Sequence, residues 1–507
     1  AQSAEVLSQV QRHLRDIAQH YHALAQQQPS PDAYARAGHW YELYLHAFAE
    51  TEQAPYMNFL YAELLAASGR QGDAAAQYER TAYSYGSHEK AAEAGYAALL
   101  TYQKHESTLD GKDGSQWRLR GLNSALRFSE GFPSHPQAIP VRTRAAQQLF
   151  ALRDYAAASK TAEVVTTTQG APDDFQLAAW TVIAHAQFEL ADFERAEAAY
   201  QQVLARTGSA APERNKHEEK LAASIYKQGE QARSAGDLTS AATHFLRISN
   251  AVPASPINVT AQYDAAAAYV ALRRWTEAIR ILELWRRSNP GHSLQPEVTR
   301  KLAVLYKESN QPLLAAGEFA RIADTDTDPV LQREAAWTAA SLYQGAKQDA
   351  QAIAAYTGFI EKFPSPVEQA MEARLQLVTI YESAGDAVKQ RYWQQRIVDA
   401  DRTAGSQRSD RTRYLGGHAR LALAMGDLNS YRAVKLREPL KKNLAIKKKL
   451  MESTLTGFTE AASYQVSEVT TQATFRIGEL YTDFSTALMQ SERPANLNAE
   501  ELEQYEI

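Results

Sequence analysis

Residues 241–253 read AATHFLRISNAVP, residues 278–290 read AIRILELWRRSNP, and residues 352–364 read AIAAYTGFIEKFP. Ala315 opens a fourth segment in the same phase, so Ala241, Ala278, Ala315 and Ala352 follow one another at 37-residue steps. Four positions after each comes a large side chain, Phe245, Leu282, Phe319 or Tyr356, and the same pair recurs at Ala74/Tyr78 and Ala196/Tyr200. Twelve residues before each alanine stands another small residue: Ala62, Ala184, Gly229, Ala266, Ala303 or Ala340. Three past that comes Leu65, Gln187, Ala232, Tyr269, Tyr306 or Tyr343, and Pro253, Pro290 and Pro364 close several units. A fixed period of this length is the signature of a stacked architecture.

The spacing predicts a two-helix unit written repeatedly. Two antiparallel helices approach closely only where each carries a small residue at the crossing, and a large neighbour fills the gap beside it. Gly69, Ala191-Asp192, Gly236-Asp237 and Gly385-Asp386 fall between the paired helices. There glycine can take positive φ after one helix and aspartate can cap the next. A hairpin by itself leaves an apolar face in water, so neighbouring units must stack.

These residues resemble the tetratricopeptide repeat family, whose signature places small, Tyr, Ala, aromatic and Pro residues at these offsets, and Trp180 falls at the signature's early Trp position. The resemblance covers roughly Asp32 to Asp399 and weakens over Val378 to Ile397, where Gln390 replaces the second-helix alanine. It departs from the family in its 37-residue period. It implies an all-α, TPR-like α-solenoid, a superhelix of helical hairpins whose first helices line a concave groove. Units ending in Phe-Pro-Ser, at Phe132-Pro133-Ser134 and Phe363-Pro364-Ser365, look like the repeats of bacterial outer-membrane assembly lipoproteins and of the Tol–Pal coordinator. The segment from Phe475 to Ile507 looks like the tails of large envelope repeat proteins associated with Tol-like motors.

Three regions are expected: an N-terminal array over 1–206, a central array over 207–400, and long C-terminal helices over 401–507 that cap the stack. His105 to Gln116, HESTLDGKDGSQ, reads as a long loop inside one repeat, and Thr207 to Glu219 as a flexible joint. Between Pro439 and Pro494 there is no proline, and Leu440, Leu444, Met451, Leu455 and Phe458 keep helical spacing. The chain starts at Ala1 and stops in charged helical sequence, which suits a processed or trimmed protein that continues past Ile507.

The 507 residues contain no Cys, which removes disulfides, thiolate metal sites and thiol nucleophiles together. That absence favours an oxidising periplasmic or envelope location over a cytoplasmic one. A net charge of -5 gives no global case for nucleic acid, and no apolar run is long enough to span a bilayer. Gly-x-Ser-x-Gly, phosphate-loop and His-Glu-x-x-His patterns are absent. Asp324, Asp326 and Asp328 mimic the start of a calcium loop, but Pro329 and Ala335 occupy the positions that need Gly and an acidic ligand, so an inter-repeat turn is expected. His13, His20 and His22 are read as a solvated face and not a metal site. No enzyme, cofactor or metal is therefore expected.

The phase of the repeat points Thr181, His185 and Phe188, then Tyr226, Glu230 and Arg233, into the groove. Tyr263, Ala267 and Val270, then Arg300 and Lys307, then Trp337, Ser341 and Gln344 continue the series. Phe188, Tyr226, Tyr263 and Trp337 flanked by Arg233, Arg300 and Lys307 suit a peptide-gripping channel, since aromatics bring contact area cheaply and cations read carboxylates. Packing of the same aromatics against the next repeat is the equal alternative. The Lys-then-Asn clamp of chaperone-tail receptors is not matched at any of the five equivalent pairs, such as Tyr226/Glu230. Lys435, Arg437, Lys441, Lys442, Lys447, Lys448 and Lys449 form a basic run, expected to be the solvated face of a helix whose leucines point inward. The function expected is a scaffold of a bacterial envelope machine that binds partner proteins, with a Tol-like motor system as the implied neighbour. Guidance of an exported polysaccharide or protein, or service to a larger catalytic protein, are the alternatives.

Overall fold

The computed structural model describes residues 2–109, 111–494 and 497–507, and every regular element among them is helical. The chain divides into two compact units, Ala1–Ala268 and Tyr269–Ile507. In chain order the first holds α1 (Gln2–Gln27), α2 (Pro31–Ala47), α3 (Ala54–Ala67), α4 (Gln71–Tyr83), α5 (Ala91–Glu106) and α6 (Gly111–Gly131). It continues with α7 (Ala138–Ala151), α8 (Tyr155–Thr167), α9 (Asp173–Glu189), α10 (Phe193–Arg206), α11 (Arg214–Ser234) and α12 (Leu238–Ala251). After α13 (Ile257–Ala271), which includes the division, the second unit holds α14 (Trp275–Ser288), α15 (Gln295–Glu308), α16 (Pro312–Thr325), α17 (Pro329–Gly345), α18 (Asp349–Lys362) and α19 (Val367–Ser383). The last are α20 (Ala387–Thr403), α21 (Asp410–Ala433), α22 (Leu440–Ser463), α23 (Ser467–Met489) and α24 (Ala499–Glu506). Within each unit a helix packs chiefly on its neighbours in sequence, the contact pattern of an α-solenoid.

The small positions are the crossing points. Ala62, Ala74, Ala184, Ala196, Ala241, Ala303, Ala315, Ala340 and Ala352 have no exposed surface, and Tyr200, Phe245 and Tyr356 beside them are buried. At Gly229 a Cβ would sit 2.5 Å from Phe245 Cε1, so only hydrogen fits between α11 and α12.

The turns follow the expected chemistry. Gly69, Gly236 and Gly385 take φ of 80°, 83° and 70°, and Ala191 takes 59°. Asp192, Asp237 and Asp386 then accept from Arg195 N, Ser240 N and Lys389 N at 3.2, 2.9 and 3.0 Å. Arg153, Arg273, Asn310 and Lys347 occupy the same left-handed position without glycine.

Several local expectations need correction. The polar run 105–116 is mostly helix: α5 continues to Glu106 and α6 begins at Gly111, leaving a connection of a few residues. One apolar anchor explains it, because Trp117 buries itself against Tyr102 with ring centroids 5.0 Å apart and draws the polar turn before it into α6. Residue Asp110 lies outside the described residues. The proposed joint at 207–219 is shorter too, with α11 starting at Arg214. Arg214 Nη1 donates to Leu204 O at 3.1 Å and Thr207 O at 2.8 Å, tying this connection to the end of α10. His22 is not on a solvated face: it is 5% exposed, with Nδ1 2.9 Å from the Tyr41 hydroxyl. Asp328 caps α17 by accepting from Val330 N at 2.8 Å, which makes 324–328 the inter-repeat turn expected.

The C-terminal helices pack round their own core of Leu428, Tyr431, Phe458, Ala461, Val469 and Leu480. Close approach of α21 and α22 rests on glycine again, since a Cβ at Gly457 would lie 3.0 Å from the Ala424 Cβ.

Candidate protein-binding groove

The residues assigned to the groove fall on first helices of hairpins, in the two units separately. In the second unit Trp337 on α17 is half-buried, its ring edge-on to Tyr356 and Phe359 at 5.6 and 5.5 Å. Both partners lie on α18, so the indole packs within its own hairpin, as does the Tyr356 hydroxyl, which donates to Gln344 Oε1 at 2.8 Å. What remains of Trp337 lines a hollow of about 450 Å³ together with Arg333, Glu334, Thr338, Phe359, Gln369 and Glu372. Its walls are the consecutive first helices α17 and α19, with Phe359 contributed by α18. Arg333 Nε is out of solvent with no acceptor, and Glu372 is held by Arg411 Nε at 2.6 Å. Ser341 and Gln344 lie on the same helix; Gln344 Nε2 donates to Gln376 Oε1 at 3.1 Å, linking α17 to α19.

Arg300 and Lys307 on α15 are exposed. Arg300 Nη1 reaches Asp326 Oδ2 at 3.3 Å, while Lys307 makes no ion pair among the described residues. The hollow does not include either of them.

In the first unit Phe188 is half-buried, packed on Phe193 at 5.2 Å, with Lys220 Nζ from α11 5.0 Å over its ring. His185, one turn earlier on α9, sits 5.9 Å from the Phe150 ring and 5.8 Å from Tyr200. Its pKa is lowered by burial first, then by His217 and Lys220, so the imidazole is neutral in a setting that resists a further cation. Aromatic and cationic groups therefore meet between α9 and α11.

Tyr226 is half-buried and Arg233 exposed, and both reach other side chains of the fold. The Tyr226 hydroxyl donates to Asp264 Oδ2 at 2.5 Å, and burial, that bond and the Asp264 charge all push its pKa up. Arg233 Nη1 lies 3.5 Å from Asp264 Oδ1 and Nη2 3.6 Å from Glu230 Oε1, and its guanidinium stands 5.6 Å over the Phe245 ring. Asp264 is thus the carboxylate that Tyr226 and Arg233 share. Tyr263 is half-buried on α13, beside it.

Arg333, Thr338, Phe359, Gln369, Glu372 and Lys220 were not among the sequence candidates. Arg333 stands one turn before Trp337 on the same helix face, a legible signal; Gln369 and Glu372 come from the next repeat and carry none.

The basic run divides. Lys435 and Arg437 lie in the connection before α22, and Lys441, Lys442, Lys448 and Lys449 are exposed on it. Lys447 is the exception to the solvated face expected: it is 4% exposed. Its ammonium donates to Tyr431 O at 3.2 Å and Val434 O at 2.9 Å, and stands 4.0 Å over the Tyr431 ring. The run therefore joins α22 to the end of α21 through one lysine. Among the described residues no group of three or more His, Cys, Asp or Glu is placed to hold a metal ion, and no helix is long and apolar enough to cross a membrane.

No curated protein matches the sequence. The solved structures it is similar to include the C-terminal part of a TPR repeat-containing protein from Cytophaga hutchinsonii, at 17% identity over 52% of this chain and 96% of that one, TM-score 0.23. A tetratricopeptide repeat protein from Parabacteroides merdae is 14% identical over 55% of this chain and 97% of that one, TM-score 0.23. The type IV pilus biogenesis factor PilW is 16% identical over 46% and 96%, TM-score 0.21. Likenesses at this level say nothing of what the chain binds. A family model, Tetratricopeptide repeat, matches residues 334–366, the stretch that carries Trp337, Ala340, Ala352, Tyr356 and the closing Phe-Pro-Ser. The chain carries a tetratricopeptide repeat at 334–366, set in an all-α array of hairpins that repeat its small-residue crossings.

Proposed function

We propose that this chain is a non-catalytic scaffold that holds segments of partner proteins against the first helices of its repeats. The observation that carries the reading is the hollow between α17 and α19, where the half-buried Trp337 offers apolar surface above the buried Phe359 and Arg333 Nε has no acceptor. An apolar side chain entering there would bury area against the Trp337 ring, and a polar atom beside it would meet the Arg333 guanidinium. Phe188 under Lys220 offers a second aromatic–cation pair of the same kind in the first unit. Partner segments with an apolar anchor flanked by acidic residues suit both places.

The machine we assign it to belongs to a bacterial envelope, with a Tol-like motor system as the neighbour. The support is the absence of Cys from 507 residues and the resemblance of the Phe-Pro-Ser repeat endings to envelope proteins.

The test is quantitative capture of partners from envelope fractions by the native chain and by Trp337→Ala, with circular dichroism checking that helix content is kept. Specific partners that drop at least about tenfold with the variant, the cost typical of a buried aromatic anchor, support the groove. An unchanged partner list from a folded variant removes it.

A further inference from the structure

A hollow of about 990 Å³ lies between α10 and α12, the second helices of consecutive hairpins, and Gln228 and Gln231 of α11 also line it. In its wall Glu197 of α10 is 8% exposed and ties three helices together. Arg247 of α12 donates from Nη1 to Glu197 Oε1 at 3.0 Å and from Nη2 to Oε2 at 2.7 Å. Gln228 of α11 donates from Nε2 to the same Oε2 at 2.6 Å, and its own Oε1 accepts from Arg247 Nη2 at 3.0 Å.

A fourth member of this cluster can titrate. His244, one turn before Arg247 on α12, lines the hollow, and its Nδ1 lies 3.1 Å from Arg247 Nη2. A guanidinium has donors only, so Nδ1 is the acceptor and the neutral ring carries its hydrogen on Nε2. An imidazolium has a hydrogen on both nitrogens and no acceptor. A proton taken up by His244 therefore removes this bond and sets two cations side by side. The charged groups that act on His244 are Arg247 from its own helix, Glu197 and Glu194 from α10, and Asp237 from the turn before α12. The residues that α11 brings to the hollow, Gln228 and Gln231, are uncharged. Burial first and then Arg247 lower the His244 pKa against the pull of the three carboxylates, so the closed cluster favours the neutral ring.

We propose that His244 is the proton-sensitive member of a latch across α10, α11 and α12, in which the neutral ring holds Arg247 on Glu197 and acid releases it. The protonated imidazole repels the guanidinium and competes with it for the Glu197 carboxylate, and the hollow gives Arg247 room to leave. Glu197 then loses the paired donors that offset its burial, and the tie across the three helices loosens. Because burial sets the folded pKa below the unfolded 6.5, the latch is intact above that value and gives way as pH falls toward the folded pKa. Phe193, which packs on Phe188 at 5.2 Å, lines the same hollow, so acid acts on the hairpin that carries the Phe188–Lys220 pair.

The experiment is hydrogen exchange of the full chain at about pH 7.5 and about pH 5, corrected for the intrinsic rate at each pH, together with nitrogen NMR of the His244 ring. At the higher pH the ring should be neutral with its hydrogen on Nε2. On acidification, protection in α10 to α12 should fall by about threefold or more while α21 to α23 keep theirs. His244→Gln supplies Arg247 with an acceptor that does not titrate, and should lose most of this fall. His185 on α9 and His217 on α11 are shifted in the same direction, and the part of the fall that persists in the variant is theirs. The ring nitrogens are read on the native chain, so that measurement reports even if the variant unfolds. A hydrogen on Nδ1 at the higher pH overturns the proposal, as does an undiminished fall in folded His244→Gln or no fall in the native chain.

Discussion

At the scale of single residues, His22 shows how a side chain that reads as surface becomes part of a core. It stands among Gln and Ala on α1, yet packs on Tyr41 of α2 with ring centroids 5.7 Å apart and bonds the Tyr41 hydroxyl. Burial lowers its pKa below 6.5, so the unfolded chain takes up this proton at higher pH than the folded one. The contribution is intact above the unfolded value and is lost as pH falls through about 6.5 toward the folded pKa. His185, His217 and His244 are lowered in the same direction, burial being the first cause in each. Stability measured by urea denaturation should thus drop between pH 7.5 and pH 5, and His22→Gln should flatten part of that slope. Equal midpoints at the two pH values would contradict the assignment. A helix-face reading located His13 and His20 in solvent correctly and missed His22, because which stripe of α1 meets α2 depends on a partner helix.

At the scale of elements, the end of α21 shows what one lysine can do. Nothing in the run 435–449 marks Lys447 apart from its neighbours; its depth is decided by α22 lying against α21. Its ammonium accepts the role of a C-terminal cap, satisfying carbonyls that a helix end leaves open and standing where the helix dipole favours a cation. Burial, then Lys435, lowers its pKa, and the Asp483 charge acts the other way. Lys447→Met keeps the aliphatic stem and removes the donors, and should destabilise the chain by about 1–3 kcal/mol. Lys448→Met on the exposed side should change stability by no more than about 0.5 kcal/mol. Thermal unfolding of the two variants side by side decides this. The Glu197–Arg247–Gln228 cluster makes the same point: Arg247 Nη2 donates to Glu197 Oε2 at 2.7 Å and Gln228 Nε2 to the same oxygen at 2.6 Å, binding three successive helices through residues 50 positions apart at most.

At the scale of the whole molecule, contacts between sequence neighbours make stability a sum of local terms within each unit. Gly229→Ala tests this. Alanine gains about 1 kcal/mol of helix preference, but its Cβ would meet the fully buried Phe245 ring at 2.5 Å, and overpacking of that kind costs about 1–3 kcal/mol. The net effect should be destabilising, whereas Gly358→Ala, with nothing within 4 Å, should stabilise by about 0.5–1 kcal/mol. Hydrogen exchange of Gly229→Ala should lose protection in α9 to α12 and keep it in α21 to α23. Uniform loss over all helices would show a single cooperative unit instead.

The 37-residue step of alanines, the aromatic four places on and the Gly-Asp turns determined by themselves that the chain is a stack of helical hairpins. Those signals are local: a small residue at a crossing and a cap at a turn act within one or two helices, and their spacing is written in the chain. The first-helix positions were legible for the same reason: Phe188 lies on α9 and Trp337 on α17, each the first helix of its hairpin. What only the tertiary structure decided is which of these groups remain available. Tyr226 spends its hydroxyl on Asp264, Arg300 reaches Asp326, and Lys447 is buried. Each of those outcomes depends on a charge or carbonyl brought from another helix. The repeat period fixes the helices' order, while burial and pairing at a given position depend on side chains that the period leaves free to vary.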